Sequence, residues 1–296
     1  MQAMIRQPPE KYGQPQTRWT LRTMLICCPW LRLTTEPGLS QLLHRLGIHW
    51  KRAQDHIHSP DAAYFDKLRY IDQQLQLARD DPEHYAFLFL DEITVYRQPT
   101  LAFAYERAGH RQPLAHRSCR SNTAHRILGA VDALTGQVFY MHRSHITVSV
   151  LTQFFEKVCR QYAGRKVFIA LDNWPVHFHR DLLAALEPQK WPWPPPKPPN
   201  WSTTPRKKTE RKDLPIQLLG LPTYAPWTNP MEKVWRCLKQ AVVHLHLFSN
   251  DTGALYERCA RYLDQFVDGS QELLNTIGLG TPGNLWTGWL HKMSEA

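Results

Sequence analysis

Apolar positions along the chain change texture part-way, and each texture predicts a different kind of element. Trp19, Leu21, Leu25 and Cys28 recur at near-helical spacing, so residues 18–33 read as one helix. Residues 1–17 before it are polar and read as poorly ordered. A short helix is expected from Pro37 to Leu46, stopped by Gly47. Ser59 and Pro60 have N-cap and first-position chemistry for an amphipathic helix reaching about Arg79. After that the pattern changes. "HYAFLFLDE" (84–92), "KVFIALD" (166–172) and "PIQLLGLP" (215–222) are continuous apolar runs, as expected of strands covered on both faces. "FAYERAG" (103–109) and "HRILGAVDALTGQVFYMH" (125–142) read as β-type segments, the second a hairpin around Thr135-Gly136. Helical patterns fall at 147–164, closed by Gly164, at 180–187, after Asn229, and at 252–267 and 270–278.

Strands alternating with helices predict an α/β domain with a mixed sheet and flanking helices. The expected divisions are a helix-turn-helix region over 1–59, a connector helix over 60–80, a catalytic domain over 81–250 and C-terminal helices over 251–296. One segment breaks the pattern. Residues 188–213 hold eight prolines followed by a basic cluster. Proline removes donors and fixes φ, so this segment reads as an extended, solvated insertion.

Charge sharpens the picture. The chain carries a net +10. Residues 1–60 contribute +5 (eight Lys/Arg, three acids) and residues 190–213 another +5 (seven Lys/Arg, two acids). The rest is neutral. Segregated positive charge points to a polyanion, and nucleic acid is the commonest. Two short helices followed by a basic arm suit DNA docking, with Arg45, His49, Trp50, Lys51 and Arg52 as candidate contacts, joined by Arg206, Lys207 and Lys208 from the insertion. Six cysteines without a CxxC pair give no zinc spacing, and a reducing cytoplasm is the default compartment. No apolar run approaches the roughly 20 residues of a membrane span.

The candidate chemistry lies in three acids. Asp91 and Asp172 each stand where an apolar strand is expected to run out, and a partly desolvated carboxylate is unfavourable there unless paired or bound to a cation. Glu232 opens a helix after another short strand. It has two open roles: reaching back to Asn229 in a capping box, or joining the aspartates in chemistry. Three convergent acids without cysteines suit Mg²⁺ or Mn²⁺, and two such ions serve in-line phosphoryl displacement. The chain has no Gly-rich phosphate loop with a Walker lysine and no GxSxG elbow.

"FLFLDE", "ALDNWPVH" and "LPTYAPWTNPMEKVWRCLK" resemble, in order, the three acidic motifs of mariner-like DDE transposases of the bacterial insertion-sequence type. The third motif is the most specific. The resemblance implies an RNase H-like catalytic fold and two divalent ions on Asp91, Asp172 and Glu232. It also implies double-stranded DNA as partner, both as element ends and as a TA target, with a homodimer as the active form. A nucleoid-associated bacterial location would go with it. Asn173, His177 and Trp235 are supporting candidates, Trp235 more for packing than for chemistry. The chain departs from the family in showing one helix-turn-helix unit where two are usual. The 59 residues between Asp172 and Glu232 exceed the family's spacing by close to the 26 residues of 188–213. The rival expectations are an RNase H-like endonuclease that cuts without joining, and a non-catalytic DNA-binding remnant of a decayed element.

Overall fold

The computed structural model describes residues 1–51, 59–195, 197–206 and 211–280. The chain divides into two units, Met1–Ile57 and His58–Ala296. In the first, α1 (Gln2–Ile5), α2 (Leu21–Cys27) and α3 (Glu36–Arg45) enclose Met4, Trp19, Met24, Cys28, Leu39 and Leu43. The expected helix over 18–33 is therefore shorter. Pro29 lacks an N–H and pushes Cys28 out of the helical region, so α2 ends there and a 3₁₀ turn follows. Thr20 starts α2 in a reciprocal capping box with Thr23. Nor is the polar N-terminal stretch loose: Met4 is buried, and the Trp19 indole N–H donates to Gln7 O at 2.9 Å. The short helix appears as expected, with Gly47 at φ +69° just beyond it.

The second unit opens with α4 (Tyr64–Asp80), which begins four residues later than the Ser59-Pro60 signal suggests. Ser59 does not cap it. Its hydroxyl donates to Thr223 O at 2.5 Å, and Asp61 accepts from the Thr223 N–H at 2.9 Å and from Lys67. These residues anchor a distant loop instead of starting a helix.

Five strands follow: β1 (Tyr85–Tyr96), β2 (Ala124–Asp132), β3 (Val138–Arg143), β4 (Lys166–Leu171) and β5 (Ile216–Gly220). Their order is β3-β2-β1-β4-β5, antiparallel through β3, β2 and β1 and parallel through β1, β4 and β5. Along β1, Phe87, Phe89, Ile93 and Val95 face α4, α7 (Met231–Leu238), α8 (Thr252–Asp264) and α9 (Gln271–Ile277). Ala86, Leu88 and Leu90 face α5 (Val148–Gln161) and α6 (Arg180–Leu183). Apolar side chains on both faces explain why the strands read as unbroken runs.

Two expectations change. Residues 103–109 form no strand, and Phe103 and Tyr105 are fully exposed on a long connection between β1 and β2. The described residues of 188–213 hold no helix or strand, but they are not a free excursion. The Gln189 side chain donates to Ile216 O and accepts from the Leu218 N–H, filling the open edge of β5. Trp191 packs on Phe178, Trp193 on Tyr70 and Trp201 on His179.

Candidate active site

Strand register brings the first two acids together. The last parallel pair between β1 and β4 is Phe89 with Ala170, so two residues further on Asp91 stands beside Asp172. Asp91 is not at the end of its strand, contrary to the expectation from its apolar run. β1 continues to Tyr96 against β2, and only its pairing with β4 stops. Strand alternation then sends Asp91 and Asp172 to the face covered by α7.

The third acid arrives with α7. Gly129 lies opposite Asp91 in the β1–β2 register. A Cβ there would sit 2.6 Å from Trp235 and 2.8 Å from Met231, so only glycine lets α7 lie this close to the sheet. Trp235 is fully buried and packs α7 onto the sheet, as its sequence position suggested. Asn229 fixes the start of the helix. Its Oδ1 accepts from the Met231 N–H, and its Nδ2 donates to Leu90 O at 2.9 Å, next to Asp91. The capping box does not form, because the Asn229 N–H donates to Pro226 O. Glu232 is thereby left to a cleft of about 410 Å³ that it lines together with Asp91, Asp172, Asn173, Trp174 and Tyr224.

The carboxylates in this cleft act on one another. Burial, then the carboxylates of Glu232, Glu92 and Asp172, push the Asp91 carboxyl up to about 8. Burial also raises Glu232; Lys239 opposes this and Asp172 adds to it. For Asp172, burial pulls upward, but hydrogen bonding and charge from His177 and the Trp174 N–H outweigh it and hold the carboxyl low. A clustered set of oxygen donors that repel one another fits a hard divalent cation.

A family model described as DDE superfamily endonuclease matches residues 86–253. The chain belongs to the DDE superfamily endonucleases. The match spans all three acids of this DDE chain. An uncharacterised 39 kDa protein of insertion element IS630 from Shigella sonnei is 20% identical over 258 residues. That alignment covers 84% of this chain and 65% of the relative, so the chain spans under two thirds of the relative's length. Among solved structures, a Mos1 transposase paired-end complex with its left transposon end superposes with a TM-score of 0.57 at 16% identity, covering 90% of this chain and 77% of that one. A mariner Mos1 paired-end complex with Mg gives 0.55 at 14% identity, covering 90% and 77%. At such identities the likeness shows the fold, which is the RNase H-like mixed sheet that the motifs implied.

The supporting residues of this DDE endonuclease fall into place unevenly. The Asn173 side chain donates to Leu221 O at 2.6 Å, tying the cleft's far wall to β4. His177 is fully buried, with Nδ1 at 3.0 Å from Asp172 and Nε2 at 2.7 Å from Glu92. Glu92 escapes a sequence reading because it looks like a redundant neighbour of Asp91; the two-residue period of a strand is the signal that separates their faces. Arg45, His49, Trp50 and Lys51 are exposed on the N-terminal unit. Arg206 is exposed and pairs with Asp181 at 3.4 Å. Arg52, Lys207 and Lys208 lie outside the described residues. Among the described residues no helix is long and apolar enough to cross a membrane.

Proposed function

We propose that this chain is a DNA transposase that cuts element ends and joins the freed 3′-OH to target DNA. The observation that carries the reading is the convergence of Asp91, Asp172 and Glu232 on one cleft. Asp91, Asp172 and Glu232 would hold two divalent ions, Mg²⁺ or Mn²⁺. Bound there, the ions would supply charge neutralisation and Lewis acidity at the scissile phosphate. The protein's part is to fix three carboxylates on rigid elements around one cleft. Water is the nucleophile for cleavage and the 3′-OH for joining, so one site serves both steps.

Double-stranded DNA as partner is supported by the charge segregation, and by the transposon ends carried in the solved Mos1 complex. A TA target follows from the family resemblance alone. Homodimerisation is supported by the β1–β2 connection, which exposes Leu101, Phe103, Tyr105 and Leu114 to solvent. Apolar side chains displayed this fully favour a protein partner.

The test is an assay of labelled element-end duplexes with Mg²⁺, scored separately for cleavage and for strand transfer into a TA-containing plasmid. Cleavage and joining are expected with the wild type, and neither with Asp91→Asn, Asp172→Asn or Glu232→Gln. Cleavage without joining would identify an endonuclease. DNA binding without either would identify a non-catalytic remnant.

A further inference from the structure

Asp91, Asp172 and Glu232 account for the cleft, but they leave a buried ionic chain behind Asp172 without a role. Glu92 follows Asp91 in β1 and points to the opposite face, where its side chain is 13% exposed. His177 lies between Glu92 and Asp172 and is wholly excluded from solvent. Its Nε2 faces Glu92 Oε1 at 2.7 Å, and its Nδ1 faces Asp172 Oδ1 at 3.0 Å. Nε2 is hydrogen-bonded to Glu92, while Nδ1 is hydrogen-bonded to the Asp172 main-chain O at 3.4 Å and lies against Oδ1. Asp172 Oδ1 accepts from the Trp174 N–H at 3.0 Å. The Trp174 N–H therefore fixes Oδ1 on the side of the His177 ring and leaves Oδ2 for the cleft. The Trp174 ring stands edge-on to the imidazole at 5.3 Å and fixes its plane.

We propose that Glu92 is a positioning residue for the metal centre: acting through His177, it orients Asp172 so that Oδ2 is presented to a divalent cation. The inference rests on the reading of Asp172 as a metal ligand. The chemistry of substitution makes it specific. Glu92→Gln keeps the shape and one acceptor oxygen but removes the charge. The Nε2 bond then loses its charged acceptor, and the ring is held less firmly against Asp172. One alternative uses the same atoms. Glu92, Asp172 and His177 each offer a ligand atom within 4.8 Å of the others, a spacing that could hold a metal directly. The hydrogen bonds argue against it, since Nε2 is already committed to Glu92 and Nδ1 to the Asp172 main-chain O, on a ring wholly excluded from solvent.

The experiment is an Mn²⁺ titration of the full chain followed by electron paramagnetic resonance, alongside thermal melts in EDTA and echo-modulation spectra of the bound ion. Glu92→Gln and His177→Gln are each expected to weaken Mn²⁺ binding roughly 10- to 100-fold, the range for residues that orient ligands. Their melting temperatures should stay within a few degrees of wild type. The double variant should bind no more weakly than either single one, because both act through the same hydrogen-bonded chain. Glu92→Asp, which keeps the charge, should recover part of the loss. Asp91→Asn should abolish measurable binding. If Asp91→Asn loses binding but Glu92→Gln binds as tightly as wild type, the positioning role is wrong and the triad reading stands. If Asp91→Asn binds like wild type, the triad reading itself fails. Additive losses in the double variant would break the link between Glu92 and His177. Nitrogen-14 coupling to bound Mn²⁺ would make His177 a ligand and overturn the inference. Either single variant carries the test if the other does not fold.

Discussion

Asp91 shows at single-residue scale how a carboxylate buried among other carboxylates opposes stability. Burial, then Glu232, Glu92 and Asp172, move its carboxyl from an ordinary 3.8 up to about 8. The charged form is thus disfavoured in the folded state. The group's contribution to stability is complete below about pH 4 and is lost as pH rises through about 8. Asp91→Asn, which removes the ionisation, should therefore raise the melting temperature in EDTA. The gain should be several degrees at pH 8 and small at pH 4. Mg²⁺ should raise the melting temperature of the wild type at pH 8 and leave Asp91→Asn unmoved. Equal melting curves in EDTA at pH 8 would show that Asp91 is not held against its charge. Glu232 gives a complementary case. Its side chain does not close the capping box, so Glu232→Gln should lose cleavage with less than about 1 kcal/mol of stability, the typical size of a cap. Asp91 and Asp172 stand out in the sequence, because a carboxylate closing an apolar run is conspicuous. Glu92 does not, because its partner His177 lies 85 positions away and only the fold brings them together.

At the scale of elements, α7 is placed by what β2 lacks. Gly129→Ala would put a methyl group within 2.6–2.9 Å of Trp235 and Met231. Neither can retreat, since both are fully buried. The helix must shift outward, taking Glu232 away from Asp91. An overpacked core of this kind costs about 1–3 kcal/mol. The expected result is a melting temperature lowered by a few degrees and a disproportionate loss of Mg²⁺-dependent cleavage; a stable variant with normal turnover would mean that α7 tolerates displacement. Strands covered on both faces announce themselves as apolar runs, which is why β1, β4 and β5 could be read directly. Misread boundaries trace to local chemistry used for other ends. Ser59 and Asp61 spend their cap-like side chains on Thr223, and Pro29 divides what apolar spacing alone presents as one helix. Residues 103–109 have strand-like composition, but nothing in the described residues pairs with them.

Across the whole molecule, positive charge and aromatic anchoring are combined in the segment 188–213. Trp191, Trp193 and Trp201 are half-buried, while Lys190, Lys197, Arg206 and Arg211 are exposed. Sequence composition conveyed the prolines and the charge but not this division, because the partners of the tryptophans come from α4 and from the turn before α6. The two faces should therefore separate experimentally. Trp191→Ala removes a ring packed against Phe178 beside the β5 edge and should cost about 1–3 kcal/mol, the scale of partial aromatic burial. Replacing 191–212 by a Gly/Ser linker should lower the melting temperature by at least as much, since the other two tryptophans go with it. The exposed face should behave in the opposite way. Substituting Lys190, Lys197 and Arg211 together by Ala should leave the melting temperature unchanged and weaken DNA binding. The slope of log K against log salt should then fall by up to about 3, at about 0.9 for each phosphate that is no longer neutralised. A melting temperature that moves with the lysines, or a salt slope that does not, would show that this basic face packs against the protein and does not meet DNA.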